Sequence, residues 1–189
     1  MTAVLLAAGA TISLKADPLK NGDLKDGLTY WHGDGQLAYL KDDGTEGSEG
    51  DLNVTPVIKI PLSHGHRGVV YQEFDSRENQ PQVNIQLDLM GSPDFKNLSK
   101  PMGPNEEGSA LEQYPRVPWD FQFLFLPNFP ADSCKMSIGK WKTWKGEAQW
   151  AAHGDRYKLM FIVPPGEGAV YIRNLSLSWS ATTPPEIQQ

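Results

Sequence analysis

The chain has 189 residues, 39% of them apolar, with 18 Gly, 15 Pro and a formal charge of −6. That length and apolar fraction suit one domain with a real core, and beyond the N-terminal run no segment approaches the ~20 apolar residues of a membrane span. An acidic chain without a dense basic stripe makes nucleic acid an unsuitable partner, because phosphate binding relies on clustered Lys and Arg.

The N-terminus, "MTAVLLAAGATISLKAD", reads like the apolar part of a secretory signal, with Val4 to Ile12 apolar and small and Ala16 as the last residue before cleavage. No Lys or Arg precedes the run and Leu14 is not the small residue wanted there, so a packed N-terminal strand is the alternative reading. The favoured division is a signal remnant over 1–16, one domain over 17–180 and a tail over 181–189, which implies a secreted or periplasmic protein. In "NGDLKDGLTYW", Asn21-Gly22 and Asp26-Gly27 are two tight-turn signals ahead of Tyr30 and Trp31.

Strand signals then recur. "QLAYL" (36–40) ends at a polar Gly-rich loop, and in "NVTPVIKIPL" Ile58, Ile60 and Leu62 share one face. "RGVVYQEF" is a short β-branched and aromatic run. "HGH" (64–66) has too few ligands for a zinc site and reads as a turn between glycines. "QVNIQLDL" (82–89) is the cleanest alternation: Val83, Ile85, Leu87 and Leu89 point one way, and Gln82, Asn84, Gln86 and Asp88 the other, as in a half-buried antiparallel strand.

Residues 91–118 carry five prolines and read as a long excursion. "VPWDFQFLFLPNF" resumes alternation, with Phe121, Phe123 and Phe125 on one face and Asp120, Gln122 and Leu124 on the other. Cys134 is the single cysteine, which rules out an internal disulfide and reads as a small buried hydrophobe. "KMSIGKWKTWKGEAQW" sets Trp141 and Trp144 among lysines without a clean core pattern. "YKLMFIV" is a strand and Pro164 to Gly168 a turn. In the closing run, Ile172, Leu175, Leu177 and Trp179 share a buried face only if the phase slips once near Arg173-Asn174, as a β-bulge would allow. Many short strands, frequent turns and no sustained helical period predict an all-β antiparallel sandwich or jelly roll.

"NGDLKDGLTYWHGDGQ", "VVYQEF" and "GAVYIRNLSLSW" together resemble the opening, a middle strand and the closing strand of galactose-binding-like jelly rolls, especially carbohydrate-binding modules of the family 4 and 9 type. The resemblance covers both ends and one middle strand. It implies that the opening turns steer the chain into the first sandwich strand and that Trp31 packs in the core. Many such modules hold a structural calcium with a Glu in the opening motif and an Asp in the closing one. Here the matching positions are Lys25 and Arg173, so no metal is expected.

The resemblance further implies binding of a poly- or oligosaccharide by ring stacking and neutral hydrogen bonds. Trp141 and Trp144 are the candidate stacking rings, or else pack beneath the long excursion. Asn84, Gln86 and Asp88, with Asp120 and Gln122, are the candidate polar floor of a cleft, or else a solvated outer face. No nucleophile elbow, phosphate loop or zinc-protease motif is present, so catalysis is not expected. Two alternatives stay open. One is a protein-interaction domain on the same scaffold, which exposed Leu124 and Leu126 would favour. The other is a small glycan hydrolase, which two carboxylates about 5 to 9.5 Å apart in a cleft would favour.

Overall fold

A computed structural model describes residues 19–64, 66–75, 82–98, 120–126, 131–149 and 156–180. The expected signal remnant, most of the excursion and the tail lie outside these residues.

The described chain is strands and turns. In order these are β1 (His32–Gly33), β2 (Gln36–Lys41), β3 (Glu46–Gly47), β4 (Val54–Pro61), β5 (Gly68–Asp75), β6 (Gln82–Gly91) and β7 (Lys96–Asn97). They continue with β8 (Phe121–Leu126), β9 (Ala131–Cys134), β10 (Lys142–Gln149), β11 (Arg156–Val163), β12 (Gly166–Glu167) and β13 (Ala169–Ser180). One sheet runs β1-β5-β11-β8-β9 and the other β10-β6-β13-β4-β2-β3, while β12 and β7 form a small separate ladder. The strand pairs are antiparallel, as the alternating patterns required. This is the expected antiparallel β-sandwich.

The core lies between the two sheets because each strand turns one set of alternate residues inward. The six-stranded sheet contributes Ile58, Ile60, Val83, Ile85 and Leu87, all at most 2% exposed, and the five-stranded sheet Val70, Phe121, Phe123, Leu159 and Phe161. Each such side chain contributes about 1.5–3 kcal/mol by leaving water. Trp31 is buried here, stacked on Phe161 with ring centroids 5.9 Å apart. Gln72 is also fully buried, and its amide accepts from the Lys20 amide N–H (2.7 Å) and donates to the Lys20 carbonyl (2.8 Å), pinning the incoming chain to β5.

The opening turns form a closed knot. Asn21 has φ 53° and Gly27 φ 63°, the left-handed conformations that Asn and Gly accept most readily. The Asn21 side chain accepts from the Asp26 N–H (3.0 Å) and donates to the Gly27 carbonyl (2.9 Å). Gly22 packs on the Leu175 backbone of the last strand, where a Cβ would collide with the Leu175 carbonyl oxygen, and the Leu175 N–H donates to the Gly22 carbonyl (3.3 Å). The opening and closing motifs therefore meet.

The predicted phase slip is present. Arg173 pairs with Asp88 and Ser176 with Gln86, so three steps of β13 span two of β6. Asn174 takes up the bulge with φ 52°. Ile172, Leu175 and Leu177 all face the core as a result.

Two expectations need amendment. The turn at 164–168 includes β12, which pairs with β7 inside the excursion. The alternation did place Leu124 outward, but it is 1% exposed, so it offers no apolar patch to a partner, and Leu126 is half-buried. Strand β9 carried no clear signal in the sequence. "HGH" does turn, with Ser63 bridged to His66, and His64 is exposed 3.9 Å from the Glu167 carboxylate.

Candidate ligand-binding groove

The outer face of the six-stranded sheet is built mainly by three adjacent strands. Along β6 it presents Asn84, Gln86 and Asp88. Register sets Ser178, Ser176 and Arg173 of β13 opposite these, and Lys145 and Thr143 of β10 opposite Gln86 and Asp88. Partners directly opposite in an antiparallel pair share a face. A groove of about 610 Å³ opens here, lined by Asn84, Ile85, Gln86, Lys145, Gly146, Ser176 and Ser178. Its floor is amides and hydroxyls, groups that both donate and accept. None of its described lining residues is Asp or Glu.

Asp88 marks one end of the groove and is already engaged. Its carboxylate accepts from the Thr143 hydroxyl (2.7 Å) and the Asn174 amide (2.8 Å), and lies 3.7 Å from the Arg173 guanidinium. Beyond it the face turns apolar. Leu40, Val57, Met90, Ala169 and Tyr171 form a second buried cluster with Ala38 and Trp141 against it. The Arg173 guanidinium stands over the Trp141 ring at 4.1 Å, a cation–π contact.

The β2–β3 hairpin roofs this apolar half. Gly44 at its turn, φ +84°, approaches the Met90 thioether. Asp42 reaches Arg173 at 3.5 Å, and Glu46 accepts from Lys59 (2.5 Å) and from the Tyr171 hydroxyl (3.1 Å). The Lys59 hydrogen bond holds the Glu46 carboxyl below its ordinary range. Burial, and then the hydrogen bond to Glu46, push the Tyr171 phenol up to about 12.

Of the residues expected to touch a ligand, Asn84 and Gln86 line the groove and Asp88 bounds it. Three others lie elsewhere. Trp144 turns inward, because it pairs with Leu87; its ring meets Phe123 of the opposite sheet with centroids 4.2 Å apart, and the ring fills the space a Cβ on Gly146 would need. Asp120 is 9% exposed; its carboxylate accepts from the Asn97 amide (3.0 Å) and the Met136 N–H (3.1 Å), which tie loops together. Gln122 belongs to the five-stranded sheet and is 2% exposed. Trp141 does lie on the groove's face, but under Arg173. Lys145, Ser176 and Ser178 escaped the sequence reading, although "LSLSW" is itself an alternation that sets both serines opposite the buried leucines.

The two positions matched to calcium carboxylates are held by cations. Lys25 is exposed and 2.6 Å from Asp23, each stabilising the other's charged form, so the Asp23 pKa is lowered and the Lys25 pKa raised. Arg173 lies on the sheet's outer face between Asp42 and Asp88. A divalent cation needs several anionic or carbonyl oxygens, and here each position supplies a cation instead.

No protein-family model matches the sequence, and no curated protein matches it. Solved structures do match in shape. A family 61 carbohydrate-binding module, TmCBM61, determined with beta-1,4-galactotriose, superposes with a TM-score of 0.54 over 88% of this chain and all of that one, at 12% identity. The chain shares the antiparallel β-sandwich fold of that module. A family 4 module gives a TM-score of 0.51 over 85% of this chain and 99% of that one, at 9% identity. Families 61 and 4 fit about equally, so the likeness reaches this kind of sandwich without singling out the family 4 and 9 type. The enzymatically active domain of bacteriophage CBA120 tailspike protein 4 also matches, with a TM-score of 0.53 and 10% identity over 87% of this chain. This chain spans only 21% of that protein's length. Among the described residues, no helix is long and apolar enough to cross a membrane.

Proposed function

We propose that the chain is a non-catalytic module of a secreted or periplasmic protein, and that it holds a poly- or oligosaccharide in the groove over β10, β6 and β13. The observation that carries this is the groove's lining: Asn84, Gln86, Ser176 and Ser178 on one flat strand face. Vicinal sugar hydroxyls both donate and accept, and amides and hydroxyls can meet both demands. The fold, shared with modules such as one determined with beta-1,4-galactotriose, supports the reading. Hydrogen bonding carries the contact in this proposal. Ring stacking is left to Trp141, which is available only where Arg173 leaves its ring free.

The test is affinity electrophoresis of the full chain in gels containing neutral polysaccharides, β-1,4-galactan among them. Retardation is expected. The double substitution Asn84→Ala and Gln86→Ala should weaken it about tenfold, the scale of two modest hydrogen bonds, with the melting temperature little changed. Unaltered retardation in the double variant would place the site elsewhere.

A further inference from the structure

The groove contains a single charged side chain among its described lining residues, and that side chain is a cation, Lys145. Around it lysines outnumber carboxylates along β10. The chain as a whole carries −6, yet Lys140, Lys142 and Lys145 are all exposed on or beside β10, and none has an ion-pair partner among the described residues. The nearest carboxylate along β6 is Asp88, one outward position from Gln86, and it is committed to Thr143, Asn174 and Arg173. Lys145 is thus a cation facing a ligand space with no ion-pair partner among the described residues, while Glu147, opposite Asn84, is the carboxylate residue two positions along the same strand. Lysines on an edge strand also guard it against pairing with other chains. That role accounts for Lys142 and Lys140, but it does not require a lysine opposite Gln86 in the groove.

We infer that the groove takes an acidic glycan, one bearing uronate carboxylates or sulfate esters, and that Lys145 is the contact that selects the anion. The inference rests on the saccharide reading above. Asn84, Gln86 and the serines hold the hydroxyls common to all sugars, and Lys145 adds a preference among them. Because Lys145 is exposed, the preference is modest and fades with salt.

The experiment titrates the full chain with two matched pairs of probes: oligogalacturonate against its methyl ester, and dextran sulfate against dextran. At about 20 mM salt, where screening is weak, the charged member of a pair should bind about three- to fivefold more tightly, the usual scale of one exposed ion pair. The pair that shows the gap identifies carboxylate or sulfate. The gap should close at about 0.5 M salt and in Lys145→Gln, where the charged and neutral members of a pair then bind alike, with the melting temperature unchanged. Neutral glycans bound with no preference for the charged form would overturn the inference and leave the saccharide reading standing. A gap that survives Lys145→Gln but falls in Lys142→Gln would overturn it in favour of general edge charge. Binding of no glycan, neutral or acidic, would remove both readings.

Discussion

The outer face of the six-stranded sheet is two surfaces laid end to end. At one end Val57 and Met90 are fully buried with Leu40 of the β2–β3 hairpin. At the other, Gln86, Lys145, Ser176 and Ser178 stand in solvent around an open groove. The same two strands, β6 and β13, run through both. On β13 the change coincides with the bulge: Ala169, Tyr171 and Arg173 point outward before it, and Ser176 and Ser178 after it. Were the same residues paired in strict alternation, the outward set would continue as Leu175 and Leu177. One residue of slippage therefore gives the core its leucines and the groove its hydroxyls.

The hardest test of this contrast is to remove the bulge. Deleting Asn174 and Leu175 together removes the bulge and reverses the phase, setting Ser176 and Ser178 inward and Leu177 outward. The lost burial of two leucines is about 3–6 kcal/mol, enough to unfold many domains of this size. Circular dichroism and urea denaturation would read it, and a deletion variant of unchanged stability would show that the bulge is incidental. The next test compares the two tryptophans of one strand region. Trp144→Ala empties a site against Phe123 and should cost about 2–4 kcal/mol. Trp141→Ala, with its ring between the roofed cluster and Arg173, should cost about 1–2 kcal/mol. Equal losses would mean that the roofed half is as much a core as the space between the sheets.

The smallest effect concerns the roof. With the Tyr171 phenol at about 12, above the ~10 of a free phenol, its neutral form is favoured by folding. That contribution is present below pH ~10 and is lost as the pH rises through about 12. Wild type should therefore lose on the order of 1 kcal/mol relative to Tyr171→Phe across that window, after allowance for solvent screening. Parallel stability curves for the two proteins would show that the hairpin does not enclose the phenol.

Much of this architecture was legible residue by residue. The strict alternation at 82–89 set Asn84 and Gln86 outward and Val83 to Leu89 inward, and the awkward phase of the last strand located the bulge. Both depend on local period, which a sequence carries openly. The two tryptophans were readable in principle: residues three apart on a strand face opposite sides, so Trp141 and Trp144 could not form one platform. Asp120 and Gln122 were harder. Asp120 is claimed by Asn97 and by the Met136 backbone, contacts between segments far apart in the chain, and Gln122 lies on a nominally outer face that is nonetheless buried. Alternation gives the side of a strand; what lies against that side is set by tertiary packing.

The contact between Gly22 and Leu175 also has a kinetic meaning. The opening knot rests on the bulge of the last long strand, so its docking requires nearly the whole described chain to be looped back on itself. The entropy of such a closure grows only slowly with loop length, but it must be met before the knot gains anything from the contact. Sandwiches dominated by distant pairings fold slowly for this reason. In this chain the opening turns can dock on Leu175 only once β13 has been made.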